Sequence, residues 1–404
     1  MNILFVSLSC AQGRFNDLMK EVKNLEQNDQ KLYNLLMRGM SRNQDVCVHA
    51  VSALPVNRNN YKHLYTPAYD INENGCHYHH KAVINIPVIR NMSNFWQSFS
   101  PVCKLSKGQR KETVVICDIL NLSNASGALL ASKLLRLPSI GIVTDVPRKR
   151  ANRGNMLNRM IDSIRFEQLQ SYDAYVFLSE PMNKLINRAG KPYIVVEGAV
   201  DSEMAQVENT LQGKAMPRIC VYSGSIRKIY GIKALTEGFL KANIPDAELW
   251  IYGDGDYREE LEQICRQHSN VRYFGVVPNS EVVKTQVKAT LLVNPRPPVG
   301  EYTMYSFPSK NMEYLVSGTP VLAAMLPGMP EEYREHIFEL KDCTADGICE
   351  ALLKIFALPD SVLYEKGKRA KAFVLNEKNN LKQTQKIIGL AKQLSGNRKA
   401  NTKQ

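Results

Sequence analysis

Short apolar runs of strand length recur along this chain and alternate with stretches where apolar residues return every three or four positions. The first pattern predicts buried β-strands and the second amphipathic helices, so the expected fold class is α/β with parallel sheets. In the first half, strands are predicted over 2–8, 45–51, 81–86, 113–117, 139–143, 174–178 and 193–196. Helices fit 15–38, 125–135, 157–170 and 181–189. The stretch 57–78 is polar, aromatic and poorly periodic, and reads as an excursion between strands or a hairpin. A second series opens at Pro217, with strands over 218–223, 248–252, 271–274, 290–293, 320–323 and 336–340. Its helices fit 232–241, 257–267, 281–287, 310–316 and 346–356. Beyond Ala357 the pattern is helical over 361–375 and 380–394, and the polar, basic 395–404 is expected to fray.

Two series that each begin with a strand predict two Rossmann-like domains, 1–200 and 201–375. The polar 201–216 is the expected hinge, and 376–404 forms a C-terminal helix and basic tail that could pack back on the first domain. Neither half carries a G-x-G-x-x-G, so a dinucleotide fingerprint is absent. No apolar run approaches the ~20 residues of a membrane-spanning helix, and the first nine residues read as a strand rather than a leader. Nine cysteines without a C-x-x-C pair suggest free thiols in a reducing compartment. A cytoplasmic location follows, and the sequons at Asn91, Asn121 and Asn124 then read as accidental.

Charge changes the picture in one respect. The net charge is +13, with 25 Lys and Arg against 15 Asp and Glu in residues 1–200, and seven against one in 377–404. The intervening segment is nearly balanced, so an anionic partner on one face is a candidate: a phosphorylated substrate, lipid headgroups or nucleic acid. Solubility alone is the plainer explanation. No nucleic-acid module is recognisable, and the basic residues do not interleave with an aromatic platform.

The most informative stretch is 306–323, SFPSKNMEYLVSGTPVLA. Pro308 precedes a helical run, Ser309 is an expected N-cap, and Gly318 is placed to close the helix. A helix N-terminus offers unpaired N–H groups and partial positive charge, so with Ser309, Lys310 and Asn311 it could cradle a diphosphate. Glu313, one turn further in, could accept hydrogen bonds from a ribose diol. An ordinary capped helix explains the same residues.

The string F-P-S-K-x-x-E-Y-x-x-S-G-x-P-V-L-A resembles the donor-binding signature of family 4 glycosyltransferases, retaining enzymes built from two Rossmann-like domains facing a cleft (GT-B). Three further segments resemble that family in the same order: VYSGSIRKIYG at 221–231, LWIYGDG at 249–255 and NVRYFGVV at 270–277. In the first half, only strand order and the TDVP at 144–147 are similar.

The resemblance implies a donor nucleotide sugar in the second domain and an acceptor in the first, with no cofactor and no metal. It places Glu313 on the ribose and Gly224 in the loop that opens the second domain. It puts Tyr305 where the family's sugar-contacting Glu would stand; Glu301 could substitute if the loop bends. Arg227 and Lys228 match the basic residues that neutralise the departing diphosphate, while Tyr230 replaces the family's Lys. Gly13 and Arg14 follow the first strand, where a small residue lets a ligand approach. Asp145, after the strand 139–143, could orient an acceptor hydroxyl or simply form a turn. Arg227, Lys228 and Asp145 are thus the catalytic candidates, and Gly13, Gly224, Tyr305, Ser309, Lys310, Asn311 and Glu313 the substrate-binding ones.

Asp254 and Asp256 form a D-x-D, read here as turn chemistry rather than a metal site. The cluster from Cys76 to His80 lacks a second ligand group and reads as a surface loop. Residues 148–165 carry Arg148, Lys149, Arg150, Arg153, Arg159 and Arg165 around an apolar stripe at 157, 160, 161 and 164. They could dock on an anionic membrane, or form a helix with a solvated basic face.

The expected activity is a hexosyltransferase-type transfer from a nucleotide sugar to a hydroxyl of a glycan or lipid-linked oligosaccharide. The expected setting is capsule or exopolysaccharide synthesis, at the inner face of the plasma membrane if peripheral. The alternatives are a non-catalytic sugar-nucleotide or glycan-binding partner of a synthase, and a GT-B nucleotide-sugar epimerase.

Overall fold

The computed structural model describes all residues except 23–27, 57, 147–162, 164 and 402–404. Two compact units divide the chain: Met1–Ala199 together with Asn380–Gln404, and Val200–Asn379.

The first unit is built on an eight-stranded sheet of order β10-β9-β8-β7-β1-β2-β5-β4. Its strands are β1 (Asn2–Ser7), β2 (Cys47–Ser52), β4 (Tyr69–Glu73), β5 (Cys76–His80), β7 (Thr113–Asp118), β8 (Ser139–Val143), β9 (Ala174–Phe177) and β10 (Tyr193–Val195). All pair in parallel except the edge hairpin β4–β5, in which Tyr69 faces His80. The two-residue β3 (Tyr65–Thr66) and β6 (Val83–Ile84) pair with each other. The central strands are buried on both faces, which explains their unbroken apolar runs.

The helices of this unit are α1 (Gln12–Glu21), α2 (Asn28–Ser41), α3 (Pro87–Leu105), α4 (Leu122–Leu135), α5 (Glu180–Ile186) and, from the far end of the chain, α12 (Asn380–Asn401). Ile387, Ile388 and Ala391 of α12 join Tyr33, Leu36 and Met40 of α2 over one face of the sheet. The two helices approach closely at Gly39, where a Cβ would sit 2.4 Å from the Asn380 carbonyl oxygen.

Several expectations need correction. The single helix expected over 15–38 is two helices. Of the strand expected over 81–86 only the two-residue β6 forms, outside the main sheet; the sheet strand lies earlier, at β5, and the stretch 57–78 contributes its hairpin partner. In β5 the buried face is Cys76, Tyr78 and His80, so a period of two is written in residues that do not read as a strand. Helix α3 was not expected at all. Helix α12 continues to Asn401 through residues expected to fray. The basic segment 148–165, apart from 163 and 165, and the helix expected over 157–170 as far as 162 lie outside the described residues; 165–169 is helical as expected.

The second unit has a six-stranded, fully parallel sheet of order β13-β12-β11-β14-β15-β16. Its strands are β11 (Arg218–Ser223), β12 (Ala247–Tyr252), β13 (Val271–Tyr273), β14 (Leu291–Asn294), β15 (Val321–Ala323) and β16 (Phe338–Glu339). Helices α6 (Ile232–Ala242), α7 (Arg258–Gln267), α8 (Asn279–Lys288), α9 (Ser309–Ser317), α10 (Ala345–Phe356) and α11 (Asp360–Glu377) connect and cover them. One face buries Cys220, Leu249, Ile251 and Leu291 under α6 and α10; the other buries Val221, Leu292 and Val321 under α9 and α11. In sequence rank the order is 3-2-1-4-5-6, the doubly wound arrangement. The strand order reverses between β11 and β14, and ligands of such sheets bind at the carboxyl ends flanking that switch.

Candidate functional site

At the switch of the second unit, the loop after β11 meets the loops after β12 and β14. Gly253 follows β12 with φ 128°, and a Cβ there would lie 1.7 Å from the Gly224 carbonyl oxygen. The turn at Gly231, φ 80°, brings its Cα so near that a Cβ would lie 2.3 Å from the Pro295 carbonyl oxygen. Both positions therefore require glycine. Gly224, the first residue beyond β11, donates its N–H to Tyr252 O at 3.0 Å.

Basic side chains crowd this point. Arg227 is exposed, its guanidinium 5.7 Å from the Tyr230 ring centre. Arg296, two residues past β14, approaches the same ring at 5.2 Å and that of Tyr302 at 4.9 Å. Its Nη2 donates to Ser306 Oγ at 3.2 Å, while its buried Nε has no hydrogen-bond partner among the described residues. Lys228 turns elsewhere and pairs with Glu260 of α7, which raises its pKa. Its backbone N–H donates to Asp256 Oδ1 at 2.7 Å. Asp256 is thus engaged in the turn.

Helix α9 presents its first turn to the same region. Pro308 is its N-cap residue with no side-chain capping bond, and Ser309 is the exposed first helical residue. The expected Ser309 cap is therefore not formed. Gly318 closes the helix at φ 80°. Lys310 Nζ lies 3.1 Å from Glu313 Oε1, and Gln286 Nε2 of α8 donates to the same oxygen at 3.0 Å. Gln286 Nε2 also reaches Ser223 Oγ at 3.2 Å. Ser223 N donates to the Tyr314 hydroxyl at 2.7 Å, and that hydroxyl donates back to Ser223 O at 3.0 Å. These bonds fix the start of α9 against the end of β11.

Asn311 faces inward. It is fully buried; its Oδ1 accepts from Asn294 at 2.7 Å and its Nδ2 contacts Met329 Sδ at 3.7 Å. It ties α9 to β14, and its side chain is committed there. Tyr305, half-buried, follows a short 3-10 turn, Glu301–Met304, whose Glu301 is exposed. Beyond β13, the Phe274 ring stacks on Tyr252 at 4.7 Å and leaves Val276 exposed beside Gly275.

In the first unit, Gly13 lies inside the first turn of α1 rather than in a loop. The N–H groups of Gln12 and Gly13 donate to the Glu73 carboxylate at 2.6 and 3.2 Å, so the chain's own anion occupies this helix end. Arg14 donates to the Tyr61 hydroxyl at 3.3 Å. Asp145 is exposed, and its Oδ1 accepts the Val146 N–H at 2.8 Å.

Sequence reasoning missed two residues. Arg296 lies in N-P-R-P-P, outside the segments that carried the resemblance; its place just beyond a strand end at the switch was the available signal. Asp118 ends β7 beside β1, where the first sheet's order also reverses. Burial pushes its pKa up to about 7, with Asp29 adding to the rise and the Leu120 N–H opposing it.

The cluster expected as a surface loop is strand β5, and β2 lies beside it. His49 Nδ1 is 3.0 Å from His79 Nε2, and Cys47 Sγ is 3.4 Å from His49 Nε2. Among the described residues, no three such groups converge on a metal position.

Residues 217–357 match the family model Glycosyl transferases group 1, which makes this part of the second unit a glycosyltransferase domain. No curated protein matches the chain. Among solved structures, sucrose-phosphate synthase from Thermosynechococcus elongatus is similar with TM-score 0.64 and 15% identity, covering 98% of this chain and 99% of that one. Trehalose 6-phosphate synthase from Burkholderia multivorans gives TM-score 0.67 and 10% identity over 99% and 98%. HepE from Anabaena, solved with UDP, gives 0.61 and 12% over 96% and 99%. At these identities the likeness carries the fold, which is GT-B.

Proposed function

We propose that the glycosyltransferase domain acts in a retaining enzyme that moves a sugar from a nucleoside-diphosphate donor to a hydroxyl of a glycan or lipid-linked oligosaccharide. The observation that carries this reading is the convergence of Arg227, Arg296 and Lys310 at the switch point of the second sheet, with Glu313 held one helical turn inside. HepE, of the same fold, was solved with UDP and with UDP and glucose, which supports a nucleotide sugar as donor. Surface-polysaccharide synthesis in the cytoplasm is the setting we propose. The nine free cysteines support a reducing compartment.

In the proposed step, the bond from the sugar C1 to the diphosphate oxygen breaks. A new bond forms from C1 to the acceptor oxygen on the same face. The acceptor proton passes to the departing diphosphate. Negative charge grows on that diphosphate as the bond breaks, so guanidinium and ammonium donors fixed beside it stabilise the transition state more than the ground state. Arg296, within cation–π reach of two rings and bonded to Ser306, is held in place before the donor arrives. Glu313 would accept from the ribose hydroxyls, its carboxylate oriented by Gln286. Asp145 would position the acceptor hydroxyl, and Asp118 stands at the switch of the sheet that would receive it.

The test is release of nucleoside diphosphate from a panel of UDP- and GDP-sugars, with the wild-type chain and Arg296→Ala compared. Slow release by the wild type, reduced about a hundredfold in the variant, supports the reading. Binding without release across donors and candidate acceptors supports a non-catalytic sugar-nucleotide-binding protein instead. Tyr305, standing where the resemblance places an acid, favours that second reading. Conversion of the donor to its epimer with no acceptor present would identify an epimerase.

A further inference from the structure

Helix α3 is built inside out. Its inward positions are Asn94, Ser98 and Val102, all buried, and the two polar ones are 3% and 2% exposed. Its outward stripe is Val88, Met92 and Trp96, one residue every four, at 73%, 62% and 58% exposure, with Ile89 alongside at 44%. An ordinary surface helix has the reverse arrangement. The inward side is made of small residues because α4 lies very close: a Cβ at Gly127 would sit 2.1 Å from the Phe95 carbonyl oxygen. Trp96 is held outward by edge contacts with Phe95 at 5.4 Å and Phe99 at 5.5 Å. Leu64 and Tyr65 of the β3–β6 ribbon, and Ile84 and Ile86 leading into α3, add further exposed apolar surface.

Along this stretch of the chain the charge has one sign. From residue 74 to residue 111 there is no acid, while Lys81, Arg90, Lys104, Lys107, Arg110 and Lys111 are all basic. The outward stripe continues through Ser100 to Lys104, about 12 Å along the axis from Trp96. Lys104, Lys107, Arg110 and Lys111 are exposed, and none forms an ion pair with another described residue. An apolar half with an indole anchor, followed by a basic half, matches a bilayer surface in which acyl chains lie beneath anionic headgroups.

We infer that α3 docks this protein on an anionic lipid bilayer, with Val88, Met92 and Trp96 entering the headgroup–acyl boundary and the bases beyond Lys104 lying on the headgroups. Helix α3 starts seven residues after β5 ends, so its apolar turns lie at the carboxyl edge of the first sheet. A lipid-linked acceptor would reach that edge directly from the membrane. The docking rests on the reading above only for this purpose, and its test needs no sugar donor.

The full-length chain is sedimented with vesicles of 30% phosphatidylglycerol in phosphatidylcholine, and with phosphatidylcholine alone. Partition into the anionic vesicles is expected to fall about tenfold in the double variant Met92→Ser, Trp96→Ser. It should also fall as salt is raised from 0.1 to 0.5 M, because headgroup attraction is screened. The chain has two tryptophans, so a blue shift on anionic vesicles that disappears in Trp96→Phe, while binding persists, locates the insertion at Trp96. Three results would overturn the inference: undiminished binding by the double variant, equal binding to neutral vesicles, or Trp96 emission already blue in solution. The last would mean that the stripe is covered by the chain itself or by a second copy. Loss of docking with nucleotide binding intact would leave the glycosyltransferase reading standing.

Discussion

Gln286 Nε2 lies 3.0 Å from Glu313 Oε1, and the same amide nitrogen reaches Ser223 Oγ at 3.2 Å. One buried side chain on α8 thus ties the carboxylate proposed for the ribose to the end of the strand that opens the phosphate loop. Replacing it by Leu keeps the volume but leaves Glu313 and Ser223 without that donor. A buried acceptor deprived of its partner costs about 1–3 kcal/mol. Gln286→Leu is therefore expected to lower the melting temperature by several degrees and to weaken nucleotide binding. Differential scanning calorimetry with and without UDP or GDP checks both, and an unchanged melting profile would count against the network.

The Arg296 guanidinium lies 5.2 Å from the Tyr230 ring centre and 4.9 Å from that of Tyr302, and a planar guanidinium pairs with aromatic faces in a way an ammonium does not. Arg296→Ala is expected to weaken diphosphate affinity about tenfold or more. Arg296→Lys should restore little of it, because charge alone does not recover stacking and two-donor geometry. Titration calorimetry with the nucleotide that raises the melting temperature most is the measurement. Full rescue by Lys would reduce Arg296 to a nonspecific charge.

The parallel strands of the second unit were legible because they are short apolar runs, and β11, β12 and β13 lead into glycine turns, as at Tyr222–Gly224 and Tyr252–Gly255. Helix α9 was legible through Pro308 and Gly318, although its expected Ser309 cap is not formed. Strand β5 was not legible, because its buried face is written in Cys76, Tyr78 and His80 rather than in Val or Ile. Helix α3 escaped because it hides Asn94 and Ser98 and displays Trp96, which defeats any search for an inward apolar stripe. The destination of a side chain was the least legible property. Asn311 and Lys310 are neighbours in one motif, yet one is spent in the core and the other reaches the site.

Lys310 separates affinity from stability. Its pair with Glu313 joins a one-third-exposed ammonium to a mostly buried carboxylate across three residues of one helix. Such a pair contributes under about 1 kcal/mol to folding after solvent screening. Lys310→Met is accordingly expected to shift the melting temperature by only a degree or two while weakening nucleotide binding severalfold. Equal and large losses in both would show a structural role instead.

The pH dependence of the first unit should carry two opposed signatures. Burial, helped by Arg14, lowers the His80 pKa to about 4, and burial with neighbouring His79 and His77 lowers that of His49 to about 4. A histidine depressed in the fold favours its neutral ring. Its contribution is complete above the unfolded value near 6.5 and is lost as pH falls from there towards 4. Asp118 behaves oppositely: its pKa is raised to about 7, so the fold favours the protonated acid, and that contribution fades as pH rises from about 4 through 7. Asp118→Asn keeps a neutral side chain of the same shape at every pH. It is expected to raise the melting temperature at pH 8, change it little at pH 4, and leave the histidine-driven decline between pH 6.5 and 4 intact. His80→Phe should instead reduce that acid decline. Melting curves taken from pH 4 to 8 on the two variants separate the groups. An Asp118→Asn variant no more stable than wild type at pH 8 would mean that Asp118 is charged in the fold with its burial offset by a partner, and would remove it as a proton-holding group at the first sheet's switch.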